Sequence, residues 1–196
     1  MFSRGGRTAG ISSRRSSQSH QLKRLILVTG GARAGKSRFA QTLAEQANSS
    51  RRLFIATAVA CDPEMKTRIA KHRRERNGLW ETLEEPTNLP ARIPKTFLSK
   101  GSLLLLDCLP TLVTNLMLAG SSDRQILART RKLLRAVRKP GVKAMVVTNE
   151  VGLGLVPEHP MGRRFRDLLG AVNQEAARSA DEVYLLVAGL PLKVKE

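Results

Sequence analysis

The residues best suited to chemistry stand together at Gly30-Gly31-Ala32-Arg33-Ala34-Gly35-Lys36-Ser37. Their spacing, Gly-x-x-x-x-Gly-Lys-Ser, is that of a phosphate loop. Its glycines let successive backbone N–H groups turn toward one centre and cradle phosphate oxygens. Lys36 sets a point charge on the outer phosphates, and the start of the following helix adds the positive end of its dipole. Ser37 offers a hydroxyl to Mg2+. A glycine-rich turn with no ligand would also fit the pattern, but here an apolar run precedes it and an amphipathic run follows. Mg2+ on a nucleotide also needs a carboxylate at the end of a neighbouring strand. Asp107, after Leu103-Leu104-Leu105-Leu106, is the first candidate, and Glu150, after Val146-Val147-Thr148-Asn149, is the second. Asp107 could equally serve as the N-cap of the segment after it.

Of the three histidines, His20 lies in a polar leader and His159 in a loop between Glu158 and Pro160. His72 differs. With Met65, Ile69 and Arg76 it shares a 4-3-4 spacing and hence one helix face. Arg68, Lys71, Arg73, Arg74 and Arg76 surround it. Such cations disfavour further positive charge on the ring. A neutral imidazole can attack phosphorus while the cations steady the charge gathering there. Spacing alone, however, favours a solvated basic helix carrying an incidental histidine.

The elements that must position these groups alternate. Leu25 to Val28 reads as a strand buried on both faces. A helix is expected from Lys36 to about Ala47 and a strand from Arg52 to Thr57. A helix opening at Asp62-Pro63 should run to about Arg76. A strand from Ser102 to Asp107, a helix over 123–138 and a strand from Lys143 to Thr148 follow. The chain should then form a helix from Pro160 to Ala180 and a strand from Glu182 to Val187. Alternation of this kind predicts an α/β fold, a mostly parallel sheet with helices on both faces. Pro90 and Pro94 exclude a long helix between Thr87 and Lys100.

A length of 196 residues with 41% hydrophobic content suits a single domain, here 23–196. Residues 1–22, rich in Ser, Arg and Gly, read as a disordered basic tail. An organellar leader, or a start assigned too far upstream, would account for the same composition. The most apolar stretch, Leu103 to Leu118, is broken by Asp107, Pro110 and Asn115, so no membrane span is expected. Cys61 and Cys108 are the chain's two cysteines, which makes a reducing cytoplasm the default. The net charge of +18 suits anionic partners, nucleic acid or phosphorylated small molecules alike. One Trp and one Tyr supply no evident stacking platform, so nucleic acid is not the expected partner.

Read together, these segments resemble one family, the bifunctional adenosylcobinamide kinase/adenosylcobinamide-phosphate guanylyltransferases of cobalamin biosynthesis. The resemblance is carried by Val28 to Arg38, Ile55-Ala56-Thr57-Ala58, Asp62-x-Glu64-Met65, Arg68-Ile69-x-x-His72 and Trp80-x-Thr82-x-Glu84-Glu85-Pro86. It continues through Asp107-Cys108, Thr114-Asn115-Leu116, Thr148 to Glu158, Arg164 to Asp167, Asn173-Gln174 and Ala188-Gly189. The Asn-Glu-Val-Gly-x-Gly-x-Val-Pro-Glu stretch from Asn149 is its most specific part.

The resemblance implies a RecA-like P-loop fold and a homotrimer. It implies phosphorylation of adenosylcobinamide by ATP or GTP. Transfer of GMP from GTP to adenosylcobinamide phosphate, through a guanylylated His72, would follow. It places nucleotide contacts on the phosphate loop, Ala56, Thr57, Ala58, Arg73, Arg74, Glu75, Arg76, Glu84 and Asp107, with Ser37 and Asp107 on Mg2+. Loss of one activity, or a DNA-stimulated RecA-like ATPase, are the rival readings. Where relatives often carry serine this chain has Ala34, and Asn77-Gly78 replaces a proline common after the arginine at Arg76.

Overall fold

A computed structural model describes residues 24–58 and 78–196. The expected tail and the expected helix from Asp62 to Arg76, with His72, lie outside them.

The described strands are β1 (Leu25–Gly30), β2 (Arg51–Ala56), β3 (Glu81–Glu84), β4 (Ser102–Asp107), β5 (Lys143–Val147), β6 (Glu182–Val187) and β7 (Leu190–Lys195). The helices are α1 (Lys36–Glu45), α2 (Leu109–Leu118), α3 (Asp123–Val137) and α4 (Pro160–Ser179), with a 3-10 turn at Lys95–Leu98. All seven strands join one sheet in the order β3-β2-β4-β5-β1-β6-β7. Every pairing is parallel except β6 with β7.

Period-two alternation sends successive side chains of each strand to opposite faces. Ile26, Val28, Phe54, Leu103, Leu105, Met145 and Val147 pack with Ala40, Ala44 and Ala47 of and just beyond α1. Leu25, Leu27, Leu53, Ile55, Leu104, Leu106, Ala144 and Val146 pack against α2, α3 and α4. The expected mostly parallel sheet covered on both faces is therefore present. Its central strands read as unbroken apolar runs because neither face meets water. Small residues at 40, 44 and 47 let α1 lie close on the sheet.

The structure amends or adds to the sequence reading at four points. The Asp107 strand is not β1's immediate neighbour, because β5 lies between them. In a parallel sheet each crossover must clear a helix, which commonly displaces sequential strands from one another. Two strands were not foreseen: the short β3, and β7, which turns back through a two-residue hairpin at Ala188 (φ 50) and Gly189 (φ 85). The segment from Thr87 to Lys100 is ordered by core contact, since Leu89, Ile93 and Phe97 are all buried beneath it. Asp107 is not the cap of α2 either. That position falls on Cys108, with no side-chain cap.

The edge opposite the phosphate loop is tied by Asp181. Its carboxylate accepts from the Leu25 amide at 2.9 Å and from Arg138 at 2.7 Å. Burial raises its pKa, but these two donors outweigh burial and hold it below the ordinary value. A depressed carboxylate stabilises the fold above the unfolded pKa, near 4, and that stability is lost as pH falls through the lower folded value. Asp181→Asn is expected to cost about 1 kcal/mol near neutrality, roughly a 2–4 °C fall in melting temperature. The gap from wild type should close below about pH 4, as thermal melts across pH 3–7 will show.

Candidate active site

Strands β1 to β5 all point their carboxyl ends to one edge, where ligands of open α/β sheets bind. β1 leaves that edge into the phosphate loop. Gly30 takes φ 144, and a Cβ placed there would stand 2.4 Å from the Leu186 carbonyl oxygen of β6. Only glycine permits that approach. Arg33 (φ 56) and Gly35 (φ 87) complete the turn, and Gly35 begins α1 in the left-handed region. Gly31, Ala32, Arg33 and Gly35 are exposed and Ala34 half-buried, so the loop presents backbone to solvent. Lys36 is buried, and its ammonium donates to the Gly31 carbonyl across the loop. Ser37, one residue into the helix, is half-buried.

Three further sequence-predicted residues stand in one row at this edge. In the sheet register Ala56 pairs with Glu84 on one side and Asp107 on the other, and Asp107 pairs with Val147. Because Phe54, Leu103 and Leu105 face α1, the residues two positions on from Phe54 and Leu105, Ala56 and Asp107, face it as well. Leu83 packs against the other core, which turns Glu84 toward the α1 side also. The phosphate loop, Ala56, Glu84 and Asp107 thus share one edge and one face. Lys36 also lies close enough to Cys108 to act on its thiol. Burial and then Asp107 push that thiol up, and the Lys36 charge pulls the other way.

The opposite face holds the anchors. Thr57 has its side chain among them, and every polar group it owns is engaged. Its amide donates to the Asp107 carbonyl at 3.3 Å, its hydroxyl donates to the Cys108 carbonyl at 2.8 Å, and it accepts from the Cys108 amide at 3.0 Å. Asn115 of α2 donates to the Thr57 carbonyl at 2.8 Å and to the Pro86 carbonyl at 3.1 Å. One side chain therefore ties the exits of β2 and β3 and the loop after Glu84. Asn173 of α4 does the same for β5: it accepts from Thr148 at 2.6 Å and donates to the Asn149 carbonyl at 2.8 Å. Among the residues assigned to nucleotide, Thr57 acts here as a tie, and Ala58 beside it is half-buried.

Glu150, the second candidate, stands at the root of the segment after β5. Its carboxylate accepts from the Gly152 amide at 3.0 Å, while its own amide donates to the Gly30 carbonyl. Asp107 stands with Glu84 on the edge and face of the loop. Ser37 and Asp107 supply two hard oxygens, the donor type Mg2+ takes beside phosphate. Among the described residues no cluster of three His, Cys, Asp or Glu could hold a metal. His159 caps α4, accepting from the Met161 amide at 3.2 Å. His72, Arg73, Arg74, Glu75 and Arg76 lie outside the described residues.

Two features at this edge were not singled out as site residues from sequence. The Ala188-Gly189 turn brings Gly189 Cα to 3.7 Å from the Cβ position of Gly35. Its sequence signals are the glycine after a buried strand and the match of Ala188-Gly189 to the family pattern. Asn115 and Asn173 were visible only as matches to a pattern, since their partners are backbone carbonyls distant in sequence. The single Trp and Tyr are engaged in packing, Trp80 against Phe54 (centroids 6.1 Å apart) and Tyr184 against Phe39 (5.2 Å). No described helix is long and apolar enough to cross a membrane.

The family profile described as cobinamide kinase / cobinamide phosphate guanyltransferase (CobU) matches residues 26–194. Among curated proteins, the bifunctional adenosylcobalamin biosynthesis protein CobU of Escherichia coli K12 is 40% identical over 183 residues, 87% of this chain and 99% of that protein. The protein of the same name from Salmonella typhimurium LT2 is 42% identical with the same coverage. The bifunctional adenosylcobalamin biosynthesis protein CobP of Pseudomonas aeruginosa PAO1 is 41% identical over 169 residues, 86% of this chain and 96% of that protein. Among solved structures, a KaiC-like protein, PH0186 of Pyrococcus horikoshii OT3, aligns at TM-score 0.46 and 17% identity, over 83% of this chain and 70% of that one. With a family profile spanning most of its length and near-full-length relatives at about two-fifths identity, the chain belongs to the cobinamide kinase / cobinamide phosphate guanyltransferase family.

Proposed function

We propose that this chain phosphorylates adenosylcobinamide and then transfers GMP from GTP to the product, giving adenosylcobinamide-GDP and pyrophosphate. The observation that carries the reading is the convergence of the phosphate loop, Ala56, Glu84 and Asp107 on one edge and one face in a member of this family. In the first reaction the loop amides and Lys36 hold the triphosphate of ATP or GTP. The aminopropanol hydroxyl oxygen of adenosylcobinamide bonds to the γ-phosphorus, the bond to the β-phosphate oxygen breaks, and a nucleoside diphosphate leaves. The hydroxyl proton passes to solvent. Little covalent work falls to the protein, which acts by positioning and charge neutralisation. Ser37 and Asp107 are the residues that would hold Mg2+, which when bound neutralises charge on the bridging phosphates.

In the second reaction an imidazole nitrogen of His72 attacks the α-phosphorus of GTP. The α–β bridging bond breaks and pyrophosphate leaves. A phosphate oxygen of adenosylcobinamide phosphate then displaces the imidazole, restoring His72. This role for His72 is carried from the resemblance. Its segment departs from Ala58, two residues past the end of β2 at the site edge. A cytoplasmic homotrimer belongs to the same reading. The exposed apolar side chains Val187, Leu190, Leu192 and Val194, on the hairpin at the sheet edge, support contact between copies.

Two variants assayed side by side test the proposal with adenosylcobinamide, Mg2+ and nucleotide. Lys36→Ala is expected to lower the kinase rate roughly 100- to 1,000-fold, the scale for removing one preorganised charge from a phosphoryl-transfer site. His72→Ala should keep the kinase reaction while abolishing formation of adenosylcobinamide-GDP. Equal loss of both reactions in a folded His72→Ala protein would contradict the division of labour.

A further inference from the structure

Between β5 and the first turn of α4 the chain turns four large apolar side chains to solvent: Leu153 (86% exposed), Leu155 (96%), Val156 (62%) and Met161 (53%). Density of this kind on a water-facing surface marks a binding face. The segment that carries them is held at both ends. Asn173 holds the Asn149 carbonyl, the Glu150 amide donates to the Gly30 carbonyl at 3.0 Å, and the Glu150 carboxylate takes the Gly152 amide. At the far end Arg163 donates to the carbonyls of Pro157 and Glu158, and His159 caps α4. Pro157 packs where a Cβ on Gly162 would come within 2.7 Å. The apolar side chains are displayed by a pinned segment.

Its position names the occupant. The root of the segment is hydrogen-bonded to the first glycine of the phosphate loop. An extended chain covers at most about 3.5 Å per residue, so Leu153 stands within roughly 10 Å of that root and Val156 within roughly 21 Å. The phosphate loop itself binds only the charged part of the reaction. The proposed acceptor is a broad macrocycle whose faces are largely hydrocarbon and whose reactive hydroxyl sits at the end of a side arm. A site for it needs an apolar surface about one macrocycle's width from the phosphate, and the segment supplies one.

Resting on the proposed activity, we infer that Leu153, Leu155, Val156 and Met161 form the docking surface for the apolar face of the corrin ring. They set acceptor specificity and make no contact needed to bind nucleotide. The adaptable side chains of Leu153, Leu155 and Met161 suit a puckered, methyl-studded face, with the stiffer Val156 beside them. Because the ring is remote from the reacting atoms, its binding acts on the ground and transition states alike, and its loss appears chiefly in KM.

The test compares the full-length wild type with the double variant Leu153→Ser/Leu155→Ser. Measured are adenosylcobinamide kinetics, binding of the coloured corrinoid by equilibrium dialysis, covalent labelling by α-labelled GTP, and mass by light scattering. KM and Kd for the corrinoid are expected to rise roughly 10- to 100-fold, the scale for removing one to two apolar side-chain contacts. The KM for nucleotide, the labelling and the mass should not change. Leu155→Met, which keeps apolar volume, should stay near wild type. Unchanged corrinoid KM and Kd in the double variant would overturn the inference. So would a change in mass with loss of every activity, which assigns the surface to contact between copies. A wild type that binds corrinoid through these residues without phosphorylating it would sink the proposed reaction and leave the docking surface standing. Absence of corrinoid binding to the wild type would sink both.

Discussion

The closest constraint among the described residues is the passage of the main chain at Gly30 beside the Leu186 carbonyl, where no side chain fits. A loop that binds phosphate through its amides must leave the sheet between strands that are already paired. β1 does so with β5 on one side and β6 on the other. The exit is so narrow because β1 is buried on both faces and hydrogen-bonded along both edges. That burial stiffens the root of a loop whose own residues are mostly exposed. The hairpin between β6 and β7 then returns its turn to Gly35, so the loop is bordered by backbone at both its glycine ends.

The sheet divides its labour by face. On the α1 side, the strand ends present Ala56, Glu84 and Asp107 beside the loop. On the other side, Thr57 and Thr148 turn inward, and Asn115 and Asn173 bind the carbonyls that these strand exits would otherwise leave unpaired. A parallel sheet has orphan backbone groups wherever its strands end, and buried orphans are costly. Asparagine suits the position because one side chain donates twice and also accepts. The consequence for function is positional. Ala56, Glu84 and Asp107 are thus held in place by hydrogen bonds made on the opposite face of the sheet.

The central architecture was legible because burial on both faces writes itself as continuous apolar runs, as in Leu25 to Val28 and Leu103 to Leu106. The phosphate loop was legible because its backbone geometry demands glycine at fixed spacing. What sequence concealed was of two kinds. β3 is four residues long, Glu-Thr-Leu-Glu, with only Leu83 turned to the core, and β7 is an edge strand with a proline and two lysines between its apolar residues. Neither has the pattern of a buried strand. The segment from Thr87 to Lys100 looked shapeless because its order comes from three residues, Leu89, Ile93 and Phe97, that reach a distant core. Likewise, Asp107 was identified correctly as a strand-end carboxylate, but sequence could not show that β5 separates it from β1. Nor could spacing show that Thr57 has Cys108, Asp107 and Asn115 as hydrogen-bond partners, all some fifty residues away.

The central claim is that one chain joins a phosphate loop to a nucleophilic histidine. The direct measurement is a pulse and chase. Purified protein is incubated with α-labelled GTP and Mg2+, isolated, and then given unlabelled adenosylcobinamide phosphate. The account predicts an acid-labile label on the protein, absent in His72→Ala, that leaves with the corrinoid product. A protein that binds GTP yet never takes up label, or a label that the corrinoid phosphate does not remove, would contradict it.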